Sequence, residues 1–500
     1  MIRLPEQFTE RMKGMLGEEY EAFAASYEKE RVQGLRFNSL KWKEGKREDW
    51  EEKGVLELVS MVEREAGFSL SPIPWVKEGF YYGAEDRPGR HPFHEAGMYY
   101  IQEPSAMAVA ELLDPLPGER ILDLCAAPGG KSSHIASRLK GKGFLLSNEI
   151  HPARARILSQ NIERMGAANV VVSNESPDRL AVRFGDFFHK IVVDAPCSGE
   201  GMFRKDEEAR AQWSEEHVRM CAARQAEILD CAASMLAPGG RLVYSTCTFA
   251  PEENEKTILD FLKRHEGFEI EPVRAYSGFS RGRSQWAGPD ADGWGLEDTF
   301  RIMPHLLEGE GHFMAVLKKA GSLSYDLFQE KGKSPYLDAG KKKEVWKAAE
   351  PVWKELLTSP EVYLNRNEYL LFGDQLYLLP PEMKDLKGLK ILRPGLHMGT
   401  LKKNRFEPSH AFSLALKKEE AASWVELPSK GEAVRRYLRG ETLTEDQLIS
   451  EWNEHREENG RLGPQKGWAL VCTGGCSLGW GKWAGGILKN HYPKGLRWNA

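Results

Sequence analysis

Two stretches of the chain put a thiol in matching settings. "IVVDAPCSGEGMF" (191–203) and "LVYSTCTFAPEENE" (242–255) each run from an apolar, strand-like string into a turn that carries a cysteine, Cys197 in one and Cys247 in the other, fifty residues apart. A thiolate is a strong nucleophile toward electron-poor carbon. Methyl transfer to nitrogen or oxygen needs only a lone pair aimed at a sulfonium, whereas C5 of a pyrimidine is not nucleophilic until a thiolate adds at C6. One cysteine suffices for that addition, and a second, as base or relay, would assist loss of the C5 proton and departure of the thiol. If the two strands are neighbours, their axes lie about 4.8 Å apart, and residues just past their ends share one pocket. Either cysteine alone is more simply read as filler of apolar space. The paired placement at strand ends, where ligand sites of α/β sheets concentrate, favours the chemical reading. These residues by themselves do not rank the two thiols.

A second candidate feature precedes them. The strand-like "RILDL" (120–124) leads into "DLCAAPGGKSS" (123–133), where Gly129 and Gly130 allow close backbone approach to a ligand and Lys131 opens a helix. Gly130, Lys131 and Ser132 match the end of a phosphate-loop pattern, with "KIVVD" as a magnesium-binding strand, but Cys125 stands where the first glycine belongs. Read instead as an S-adenosylmethionine loop, the stretch predicts an acid at the end of the next strand to hold the ribose hydroxyls. Glu149 follows "GFLLSN" directly, and Asp194 ends the strand before Cys197. Loop, Glu149 and Asp194 at three strand ends favour the second reading over a nucleotidase with an RNA-binding tail.

The elements that must position these residues read as alternating strands and helices from about Gly97 to Lys319. "RILDL", "GFLLSN", "NVVVS" (169–173), "KIVVD" (190–194) and "RLVYS" (241–245) are the strand candidates, and "HFMAVLKK" (312–319) reads as an edge strand. Such alternation predicts a mostly parallel sheet covered by helices on both faces. Before it, residues 1–75 read as a small, mainly helical accessory domain with a strand-like "GLRFNSLK". The catalytic domain is placed at 76–320, a lysine-rich linker at 321–350, a small β-rich domain at 351–425 and a last module at 426–500.

The chain has 500 residues, with 41% hydrophobic and 29% charged, which implies several domains. The opening "MIRLPEQFTERMKGML" lacks the apolar core of a secretory signal, and no run of about 18 apolar residues could span a bilayer, so a cytoplasmic protein without membrane contact is expected. Seven cysteines, an odd number, argue against a disulfide framework. Net charge is only −5, so affinity for nucleic acid must come from local patches. One such patch is suggested at the end. Gly440–Asn459 holds seven acids and one base, whereas from Gly460 onward there are six Lys or Arg, no acid, and Trp468, Trp480, Trp483 and Trp498. Interleaved cations and aromatics suit phosphate contact with base stacking, and they equally suit a small β-barrel whose tryptophans are core and whose lysines are rim. Cys472 and Cys476 fall short of a four-ligand zinc site and read as structural, as do Cys125, Cys221 and Cys231.

"DLCAAPGGKSSHIA", "NEIHPARARIL", "VVDAPCSGEGMFRKD", "APGGRLVYSTCTFAPEENE" and "PHLLEGEGHFMAVL" resemble the successive motifs of Sun/Nop-type RNA 5-methylcytosine methyltransferases, specifically the bacterial RsmF/YebU type that modifies 16S ribosomal RNA. The resemblance extends to the N-terminal "LPEQFTERMKGMLGEEY", and the ending "GWGKWAGGILKNHYPKGLRW" is similar to that type's PUA-like RNA-binding module. It implies a Rossmann-like class I methyltransferase domain, α/β in class, with an N-terminal domain and β-rich C-terminal modules that position RNA. It further implies Cys247 as the attacking thiol and Cys197 as the residue that assists release. Cys125, Ala126, Ala127, Pro128, Gly129, Gly130, Lys131, Glu149 and Asp194 would hold S-adenosylmethionine, with Asp194 and Lys131 also beside the reacting base. No metal is implied. The partner would be 16S ribosomal RNA or the small subunit, and the protein a monomer. Many relatives carry an aspartate after the third strand, near the adenine. This chain reads "VVVSNESPDRL" there, leaving Asn174, Glu175, Ser176 and Asp178 as candidates.

Overall fold

A computed structural model of the protein describes residues 3–41, 50–324, 336–381, 383–403, 405–455 and 466–499. Its centre is a ten-stranded sheet, whose strands are numbered here in chain order. They are β1 (Arg120–Asp123), β2 (Phe144–Asn148), β3 (Val170–Ser173), β4 (Phe188–Asp194), β5 (Leu236–Thr246), β6 (Phe268–Ile270), β7 (Ser280–Arg281), β8 (Phe300–Ile302), β9 (His312–Lys319) and β10 (Ile391–Arg393). The order is β7-β8-β9-β5-β4-β1-β2-β3-β10, with β6 paired to β9.

Strands β1 to β5 are mutually parallel, and their side chains alternate between two cores as a pleated strand requires. Ile121, Leu145, Val170, Val172, Val192 and Val243 pack on one face. Leu122, Leu146, Val171, Ile191, Val193, Leu242 and Tyr244 pack on the other. Burial on both faces is why these strands read as near-continuous apolar runs. The chain runs from β1 outward through β2 and β3, then returns to the other side of β1 for β4 and β5. That reversal beside β1 opens the crevice in which open α/β sheets bind ligands.

β9 is not an edge strand: it lies antiparallel between β5 and β8, so its apolar run is covered on both sides. The N-terminal unit is also less helical than its sequence suggests. A four-stranded antiparallel sheet, Leu70–Pro72, Gly79–Tyr82, Gly34–Phe37 and Tyr99–Ile101 in spatial order, carries it past the boundary expected at residue 75. Part of the expected linker, residues 325–335, lies outside the described residues, and the rest includes the start of a helix, Ala339–Leu356.

The modules share cores with one another. Phe8, Met12, Phe23 and Tyr27 of the N-terminal helices pack with Phe203, Trp213 and Phe249 of the catalytic domain. Phe37, Phe93 and Met98 share a cluster with Val434, Tyr437 and Trp483 of the last module. Beyond residue 320, Leu379 and Met383 enter the catalytic core, and β10 adds an antiparallel strand to β3. The β-rich segment therefore completes the central sheet. Leu379 is 1% exposed within that core, so Leu379→Ala is expected to cost about 2–5 kcal/mol of stability by deleting buried methyl groups. Denaturant unfolding followed by tryptophan fluorescence checks this, and a change below 1 kcal/mol would mean that the segment only rests on the domain.

Candidate active site

Register creates the site. Asp194 pairs with Ser245 across β4 and β5, so the turns that follow leave the sheet side by side. Ala195 N donates to Ser245 O at 2.8 Å and Gly201 N to Cys247 O at 2.8 Å, which stitches the turns together. At Gly201 a Cβ would lie 2.9 Å from the Cys247 carbonyl oxygen and 3.0 Å from that of Gly311, so only glycine lets the loops approach this closely. The outcome is that Cys197 Sγ and Cys247 Sγ are 3.4 Å apart, both half-buried.

Asp194 and Lys131 stand at the same crevice. Lys131 Nζ donates to Asp194 Oδ2 at 2.6 Å, Ser245 Oγ donates to Oδ1 at 2.8 Å, and His312 Nε2 lies 3.7 Å from Oδ1. Burial pulls the Asp194 carboxyl upward, but Lys131 and His312 more than offset that and hold it well below its ordinary range. For Lys131, burial works against the charge while Asp194 outweighs it, so the ammonium is held above its usual value.

The loop after β1 runs from Cys125 to Gly130. Gly129 adopts φ +113° where it caps the helix Gly130–Leu139, a conformation that side chains rarely tolerate. Ala126 N donates to Asn148 O, and Arg154 Nη2 to Ala127 O, holding the loop over the end of β2. Glu149 is 3% exposed there, accepting from His151 N at 2.9 Å. Asp123 is fully buried, its Oδ2 accepting from Ser132 Oγ at 2.7 Å while Oδ1 has no hydrogen-bond partner. Burial, Asp123, Asp194 and Glu149 together push the Cys125 thiol far up, which marks three carboxylates converging on this loop.

That convergence suits a cationic ligand. It would repel a triphosphate, and the groups a phosphate loop needs are engaged elsewhere: Lys131 on Asp194, Ser132 on Asp123.

Of the residues after β3, Glu175 is turned away, accepting from Lys390 N at 2.6 Å and pairing with Arg179. Asp178 is exposed and bonded to Ser176. Asn174 sits on the Glu149 turn, its Nδ2 donating to the carbonyls of Glu149 at 2.7 Å and Ile150 at 2.8 Å.

Several residues that hold the site did not stand out as functional in the sequence. Glu200 is buried and accepts from Trp213 Nε1 at 2.8 Å, from Phe249 N at 2.9 Å and from Arg11, which ties the first helix to the Cys247 turn. Glu253, His312 and Asp123 also belong here. All lie inside the quoted motifs, but spacing alone does not tell which acid of "PEENE" points inward. In the last module, Trp468, Trp480 and Trp483 are at most 9% exposed, so they are core and the lysines rim; stacking on those three rings is ruled out. Cys472 and Cys476 are buried beside them.

Residues 110–318 match the family described as 16S rRNA methyltransferase RsmB/F, and residues 4–104 match the N-terminal domain of 16S rRNA methyltransferase RsmF. Residues 353–416 match the first C-terminal domain of RsmF and residues 425–498 its PUA domain. A ribosomal RNA small subunit methyltransferase F of Vibrio vulnificus is 30% identical over 99% of this chain and 98% of its own length. One from Klebsiella pneumoniae is 29% identical over 99% and 97%. Among solved structures, a methyltransferase homologue from Pyrococcus horikoshii has a TM-score of 0.53 at 29% identity, covering 64% of this chain and 96% of its own. NSun6 from the same organism, solved with SFG, shares the fold at a TM-score of 0.52 and 22% identity, covering 64% and 99%.

Burial raises the Asp123 carboxyl to about 7 despite Ser132 and Lys131. Because the folded value lies above the unfolded one, ionisation opposes folding, and the loss of stability grows as pH rises from about 4 through 7. Asp123→Asn is therefore expected to raise Tm relative to wild type at pH 8 and to leave it nearly unchanged at pH 4, read by calorimetry at both pH values. A Tm gain that does not depend on pH would contradict this.

Proposed function

The chain belongs to the RsmB/F family of 16S rRNA methyltransferases, and from that premise we propose that it methylates C5 of cytosine in 16S ribosomal RNA through a covalent bond between Cys247 and C6. The observation that carries this reading is the 3.4 Å separation of Cys247 and Cys197 beside the Lys131–Asp194 pair. N- or O-methylation has no use for two thiols at that position.

In this reading S-adenosylmethionine supplies an electrophilic methyl group when bound. Glu149 would hold its ribose hydroxyls, and Asp194, with the buried Asp123 behind the loop, would offset its positive charge. Asn174 spends its amide hydrogens on two carbonyls, and its side-chain oxygen would be the acceptor for the adenine amine.

The protein's own residues then act in sequence. Cys247 Sγ forms a bond to C6 of a flipped-out cytosine, and the ring electrons move to C5. Asp194, held ionised by Lys131, would accept from the exocyclic amine and offset charge developing in the ring. C5 takes the methyl group, a base removes the C5 proton, and the electrons of that bond re-form the C5–C6 double bond as the sulfur leaves. Cys197, next to the departing sulfur, assists this last step. The PUA module and the N-terminal domain position the RNA.

Cys247→Ala is expected to abolish methylation. Cys197→Ala is expected to leave the enzyme bound to RNA as a band that survives denaturing electrophoresis. Bisulfite sequencing and gel mobility with 16S RNA or the small subunit check both. Retained 5-methylcytosine in Cys247→Ala, or no slow band in Cys197→Ala under turnover, would contradict the assignment.

A further inference from the structure

Both cysteines follow the ends of paired strands, and that placement alone does not assign their roles. Lys131 is held on Asp194, the residue that ends β4. Behind Cys197 stands Glu253, which is fully buried. Its Oε2 accepts from Ser198 N at 3.0 Å and from Gln225 Nε2 at 2.8 Å, and its Oε1 accepts from Ser198 Oγ. Gln225 Nε2 also donates to Pro196 O at 3.0 Å, and Ser198 Oγ lies 2.9 Å from Thr248 Oγ1. One carboxylate thus fixes the residues on both sides of Cys197 and reaches the residue after Cys247. The ionised carboxylate can satisfy all three at once, two N–H groups on Oε2 and the Ser198 hydroxyl on Oε1.

We propose that Glu253 is the positioning residue that assigns the two thiols their roles: its buried carboxylate keeps the proton on Cys197, so Cys197 donates to Cys247 and Cys247 is the sulfur left to attack. This inference rests on the cysteine-adduct reading above and supplies what strand placement does not, a physical reason for ranking the sulfurs. The Cys197 thiol is held well above its ordinary value, first by its contact with Cys247, then by burial, then by the charges of Cys247 and Glu253. The ionisable groups facing Glu253 from the surrounding elements are Glu200, Cys197, Cys221 and Tyr244. Burial raises Glu253 itself to about 7, so the charge is fully developed on the alkaline side of neutrality.

The test is alkylation of the full-length protein by iodoacetamide at pH 8 under single-hit conditions, without RNA or cofactor, with Cys197 and Cys247 peptides quantified separately by mass spectrometry. In wild type, Cys247 is expected to react at least about tenfold faster, the equivalent of one pH unit in thiolate population. Glu253→Gln is expected to shrink that preference below about threefold, and Glu253→Asp, which keeps the charge, to retain most of it. Equal or reversed rates in wild type overturn the proposal without any variant. So does an undiminished preference in Glu253→Gln, or an equal loss in Gln and Asp. Because the assay involves no methyl transfer, its outcome is separable from failure of the adduct reading, which would appear as absent RNA adducts with the alkylation order intact.

Discussion

The structure depends on one alignment: Asp194 opposite Ser245 in two adjacent parallel strands. A one-residue slip would turn every side chain of β4 to the other face, exchange the two cores and separate the turns. Register is pinned because Ile191 and Val193 fill one core and Val192 the other, all fully buried. From this alignment follow the contacts of Ala195 with Ser245 and of Gly201 with Cys247. The proximity of the two sulfurs is a consequence of them. The apolar pattern that makes the strands also aims the thiols.

Around that alignment the accessory modules do more than extend the protein. Phe23 packs edge to face on Phe249 at 5.2 Å, two residues past Cys247, and Glu200 joins Arg11 to the backbone of the same turn. On the opposite flank, Lys390 N caps Glu175 and Asn174 N donates to Lys390 O, so a segment of the β-rich domain closes the end of β3. Both ends of the chain therefore brace the crevice, one behind the cysteines and one beside the β3 turn. In an rRNA methyltransferase this gives the modules a structural role.

Much of this was legible in the sequence, for identifiable reasons. Strands buried on both faces leave unmistakable apolar runs, and glycine, acid and cysteine at their ends mark the crevice. What escaped depends on partners distant in the chain. The position of β9 inside the sheet was hidden because β8 is only three residues long. The N-terminal sheet was hidden because its four strands are short and separated by turns and a long helix. The tryptophans of the last module were ambiguous because a stripe of rings looks the same exposed or buried until a second layer covers it. Glu253 was hidden because three acids crowd one turn and only the fold selects the one beneath Cys197.

The central claim is that Cys247, held beside Cys197, bonds to the ring carbon next to the one that is methylated. Turnover with 16S RNA containing 5-fluorocytidine measures it most directly, since fluorine at C5 leaves no proton to remove and the adduct cannot resolve. Digestion and mass spectrometry of the trapped protein should find the methylated nucleotide on the Cys247 peptide and on no other. A nucleotide on Cys197, or methylated RNA free of protein, would contradict the account.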